Sequence, residues 1–167
     1  MNPTAVELRR MSVEALEKLG QDSLREHLLA QAMLAHQKHA PVTFEKLDDL
    51  LLDPDCLRYP VRLAYEFGEM APHQFAQPEA DPRSEGQRGR VLYLRPLLRG
   101  HPDKVVLAVA YMIPLINFGA IINDGHCRLY GATLLGLLED EFYREICALA
   151  DFVGAEARLP EGCPPAR

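Results

Sequence analysis

Apolar residues recur every three to four positions over the first fifty residues, then alternate with polar ones, then return to helical spacing. Val13, Leu16 and Leu19 mark one helical face, which Ser12 can cap and Gly20 can end. A second helix starts with Asp22 or Ser23 as its cap and runs to about His39. Leu24, Leu28, Ala32 and Ala35 keep its register, and Leu29 and Met33 widen the stripe. Thr43 can cap a third helix, "FEKLDDLLL", which the Asp-Pro-Asp of residues 53–55 stops. Together these predict a helical arm over 1–52. Its stripe has to pack on the rest of the domain or on a second copy of the chain.

From Leu57 the period becomes two. "VRLAYEF" sets Val61, Leu63, Tyr65 and Phe67 against Arg62, Ala64 and Glu66, the pattern of a half-buried strand. "RVLYLR", Arg90 to Arg95, alternates in the same way. Between them "QPEADPRSEGQRG", residues 77–89, predicts a long exposed loop, with room for a short strand at His73–Ala76 before it. This sheet region covers 57–95.

"HPDK" then opens an apolar helix, with Pro102 in its first turn and Asp103 near its positive end. Pro114 is expected to kink or end it. Asp124 can cap "HCRLYGATLLGLL", where Gly131, Ala132 and Gly136 leave room for another backbone. "EDEFYREICALADFV" is acid-led and puts Phe142, Ile146, Leu149 and Val153 on one face. The helical region therefore spans 102–154, and 155–167 reads as a loose tail. The strands are not interleaved with helices. The fold class predicted is a helix-rich α+β single domain over 1–154, its small antiparallel sheet flanked by N- and C-terminal helices.

Composition adds three constraints. With 48% hydrophobic and 25% charged residues in 167, the chain can build one core without a disulfide or metal. Its 24 acidic and 18 basic residues leave a charge of -6, which argues against nonspecific nucleic-acid binding. Arg83, Arg88 and Arg90 cluster, but Glu79, Asp81 and Glu85 interleave with them, as in a solvated loop. Cys56, Cys127, Cys147 and Cys163 form no Cys-x-x-Cys pair, and "MNPTAVELRRM" leads into no apolar signal core. Reduced thiols in the cytoplasm are the expectation, with Cys127 and Cys147 as small buried hydrophobes and Cys163 exposed. The run from Val105 to Ile122 has the length of a membrane span, but Pro114, Asn117 and Gly119 interrupt it and no basic flank marks it. A core helix is the expected outcome, with no membrane partner.

The richest cluster of chemistry is "EFGEMAPHQFAQ", with Glu66, Glu69 and His73 within eight positions. Adding His101, Asp124 and His126 gives ligand types that hold zinc or another divalent metal, all at element edges or in loops. No spacing matches a metal signature, and no His-Glu-x-x-His is present. The stretch reads instead as a strand end running into a loop. His36 and His39 near a helix end suit the helix dipole. Ser12, Ser23, Thr43 and Ser84 read as caps or loop residues, and the Thr133 hydroxyl is expected to bond back to the preceding turn. There is no Gly-x-Ser-x-Gly elbow and no phosphate loop. Arg58, Arg62, Arg90, Arg95 and Arg99 can converge with Glu66 and Tyr93 on one sheet face to hold an anion, or can simply form its wet side.

The function expected from these residues is a non-catalytic cytoplasmic domain acting through protein contacts, homodimeric through its N-terminal helices and without a cofactor. One alternative is a metal-dependent hydrolase centred on His73, His101 and His126, with Glu69 as ligand or general base. The other is a small-anion-binding module.

Overall fold

The longest apolar run becomes the axis of the molecule. A computed structural model describes residues 3–157, and in it α4 (Pro102–Phe118) buries ten of its seventeen residues. Together with the turn that follows it, Pro102–Ile121 is long and apolar enough to cross a membrane by length and composition, with a mean hydropathy of 1.8. In this fold the two helices that follow it, the sheet and α4's own flanking turns pack around it. Of the two outcomes expected at Pro114, a kink or an end, the helix does not end there. It runs on to Gly119, whose φ of 65° closes it, and Pro114 is itself buried. Packing on several sides holds the helix through a residue that costs about 3 kcal/mol in an open one.

α5 (Asp124–Leu135) and α6 (Glu139–Ala157) pack on each other and on α4. Asn123, one residue before the expected cap, accepts a hydrogen bond from the His126 amide. Small residues do allow close approach. A Cβ built on Gly131 would lie 2.2 Å from Cζ of Phe142, so only glycine lets that ring seat against α5. Phe142, Ile146, Leu149 and Val153 are all buried, as their spacing predicts. Cys127 is buried too, but Cys147 is exposed, because it follows Ile146 by one position and so turns off the buried face. α6 continues to Ala157, past the expected start of the tail, and Cys163 lies outside the described residues.

The N-terminal helices differ from the expected three. Thr4 and Glu7 form a capping box that starts α1 (Ala5–Arg10). Ser12 caps α2 (Val13–His39), which passes through Gly20 and the Asp22–Ser23 caps without a break. A single glycine costs a helix only about 1 kcal/mol, and good helix formers on both sides carry it through. After the segment at 40–43, a 3₁₀ turn at Phe44–Lys46 leads into the short α3 (Leu47–Leu51).

The sheet is mixed, not antiparallel. β2 (Ala76–Ala80) occupies the start of the expected long loop, pairs antiparallel with β3 (Arg90–Leu94), and makes β3 the central strand. β1 (Val61–Tyr65) joins the other edge of β3 in parallel, since the chain reverses twice between them. Pro78 fits because β2 is an edge strand, where a missing N–H is tolerated. The remainder of the loop is tied down. Both Asp81 carboxylate oxygens accept from the Arg62 guanidinium, at 2.7 and 2.9 Å, and Ser84 donates to the Asp81 carbonyl.

Candidate functional site

The residues expected to hold a metal each have a local role. Glu66, Glu69 and His73 are exposed in the loop between β1 and β2. His101 precedes α4, with its ring edge-on to Phe152 at 4.9 Å. His126 is buried, and its Nδ1 accepts from the Asn123 amide at 3.1 Å. Burial, then the nearby Arg25, hold its pKa below the ordinary 6.5. Asp124 accepts from the Tyr111 hydroxyl at 2.6 Å and pairs with Arg128. Among the described residues these groups are not gathered into one ligand set.

The arginines are dispersed as well. Arg62 is taken by Asp81, while Arg58, Arg90 and Arg99 lie over the rings of Phe118, Tyr59 and Tyr65. Arg95 is not on a wet face. It is 5% exposed, and its guanidinium donates to the carbonyls of Ala71 and Gln74, fastening the loop before β2.

What the sequence did not bring together is His39, Asp53 and Cys56, whose ligand atoms lie within 4.8 Å of one another. Helix α2 ends at His39, and the Asp-Pro-Asp turn folds back against that end, so residues fourteen apart meet. Asp53 Oδ2 accepts from His39 Nε2 at 2.7 Å and from Lys38 Nζ at 2.8 Å, and Oδ1 accepts from the Asp55 amide. Burial works against the charged carboxylate, but the hydrogen bonds from Lys38, the Asp55 amide and His39 outweigh it and hold Asp53 well below the usual carboxylate range. The donor types suit zinc, yet Asp53 Oδ2, the oxygen that reaches His39, is already paired with the Lys38 ammonium. Cys56 is no nucleophile either, since burial and the Asp53 charge push its thiol up to about 12. The cluster is a tie between α2 and the turn. Asn117 on α4 reinforces it by donating to the Cys56 carbonyl at 2.9 Å and accepting from the Arg58 amide at 3.0 Å.

The surface features lie elsewhere. From Leu24 onward α2 packs on the core, and its first fully buried residue is Leu28. Residues 4–23 form an arm with no fully buried residue: Leu8, Met11, Ala15 and Leu19 are half-buried, and a Cβ added at Gly20 would meet nothing within 4 Å. Val6, Val13 and Leu16 are exposed along it. At the opposite end of α2, a groove of about 1110 Å³ opens between the 40–45 segment, the start of α4 and the α5–α6 turn. Val42, Val106, Leu107, Leu135 and Leu137 give it an apolar floor. Glu45, Asp103, Glu141 and Glu145 stand at its rim against one cation, Arg144. Among the described residues none of these four carboxylates has a side-chain hydrogen bond or ion pair.

In comparison with known proteins, the chain matches no family model, no curated protein and no solved structure, so its function is argued from its own geometry.

Proposed function

We propose that this chain is a non-catalytic protein-interaction domain of the cytoplasm that pairs with a second copy of itself through the N-terminal arm. The observation that carries this reading is the uncovered apolar side of the arm, where Val6, Val13 and Leu16 are 57, 67 and 39% exposed. Fully covering side chains of this size contributes roughly 1.5–3 kcal/mol each. The arm also suits self-association electrostatically. Residues 4–23 carry four acidic and three basic side chains, so two arms meet without the repulsion that a net charge of -6 would otherwise bring. A reducing compartment agrees with Cys56, Cys127 and Cys147, all free thiols.

Sedimentation equilibrium on the full chain, over about 1 to 100 μM, tests the reading. It predicts a concentration-dependent dimer that Leu16→Glu converts to monomer with an unchanged circular dichroism spectrum. A wild-type chain that stays monomeric throughout, or a dimer indifferent to Leu16→Glu, would sink it.

A further inference from the structure

The acid-rimmed groove and the arm are complementary in kind, and they lie on opposite ends of one rod. The groove offers an apolar floor beneath four unpaired carboxylates. α1 offers what such a groove takes, an exposed Val6 followed by Arg9 and Arg10 in its last turn. A chain cannot satisfy its own groove. Because α2 is continuous, it separates α1 from His36 at the groove wall by 23 helical residues, about 35 Å. α1 is itself only six residues long and cannot span that distance by folding back. A second copy with its α2 antiparallel removes the difficulty, because its N-terminus then lies beside the first copy's C-terminal end of α2.

On the basis of the dimer reading, we infer that the groove is the receptor for the α1 segment of a second copy, with Arg9 and Arg10 set against the carboxylate rim. A two-fold axis then seats both arms at once, and the same contact occurs twice. Leu29 and Met33, also exposed on α2, give the partner's helix further apolar surface in this arrangement. The charge pairs set the direction of the arm, and the apolar floor supplies most of the affinity.

Charge reversal on the full-length chain tests the inference, with sedimentation at low ionic strength as the readout. Glu141→Arg with Glu145→Arg should weaken the dimer about tenfold or more, as should Arg9→Glu with Arg10→Glu, because each sets like charges face to face in both copies. The chain carrying all four changes should recover to within about threefold of wild type, since the attraction is rebuilt with its signs exchanged. All four exchanged side chains are at exposed positions, and thermal unfolding of each variant checks that the body is intact. Loss in the two double variants with recovery in the fourfold one supports the docking. A dimer that needs Leu16 but ignores both reversals, or that the fourfold variant does not restore, overturns the docking while leaving the dimer reading in place. A monomeric wild-type chain overturns both.

Discussion

The two ends of α2 are made of the same helix-forming material and meet different fates. Over its last twelve residues Leu28, Ala32 and Ala35 are buried against α5 and the core, and His39 is tied to Asp53. Over its first eleven no residue is fully buried, and Val13 and Leu16 stay 67 and 39% exposed. An amphipathic stripe states that a face needs covering and leaves open what covers it. Where the body is within reach the stripe becomes core, and where it is not the stripe stays partly uncovered, which on the proposed reading makes it an interface.

The largest test of that contrast is in the body. Phe142→Ala should cost about 3–5 kcal/mol in denaturant unfolding, since the ring is fully buried against Gly131. Leu16→Glu, in dilute protein, should change the same measurement by no more than about 0.5 kcal/mol. If the two substitutions cost alike, the arm is packed in the monomer and the contrast fails.

The tie at the far end of α2 is next in size. Asp53→Asn should lower stability near neutral pH by about 2–3 kcal/mol, because it removes a buried charge with several donors around it. The folded carboxyl titrates below its ordinary 3.8, so its contribution is fully present above that value and is lost as pH falls through the depressed folded pKa. An acid-unfolding titration should show that loss in the wild type and a flatter profile in the variant.

His126 gives the smallest effect. Its folded pKa is lowered below 6.5, so the unfolded state takes up the proton first and stability declines as pH drops below 6.5. His126→Gln keeps a side chain that can complete the cap with Asn123 and removes the titration. The slope of thermal midpoint against pH just under 6.5 should become shallower, with the neutral-pH midpoint nearly unchanged. An equally steep slope in the variant would assign the dependence to another group.

Much of the body was legible in the sequence because its signals are local. The Phe142–Val153 face, the cap at Ser12, the strands starting at Val61 and Arg90, and Thr133 bonding to the Leu129 carbonyl follow from spacing within a few residues, although burial in the two strands does not alternate as expected, with Ala64 buried and Val91 and Leu92 both buried. The misses are long-range. β2 was hidden because "QPEAD" is loop-like by composition and becomes a strand only through β3. With that strand unseen, the direction of β1 against β3 came out reversed. Pro114 and Gly20 are helix breakers in isolation that packing and strong neighbours override. The groove was invisible to sequence reasoning, since its floor comes from segments up to 95 residues apart, Val42 and Leu137. The Asp53 tie had a partial signal, a Lys-His pair at a helix end ahead of an acidic turn, though no spacing rule joins them.

The most direct measurement is amide hydrogen exchange on the full chain at two concentrations, read separately for 13–23 and 28–39. The account predicts slow exchange over 28–39 at both concentrations. Over 13–23 it predicts fast exchange in dilute protein and marked slowing when the dimer forms. Exchange over 13–23 that is equally fast at both concentrations, or equally slow at both, would contradict the claim that a second copy covers the arm.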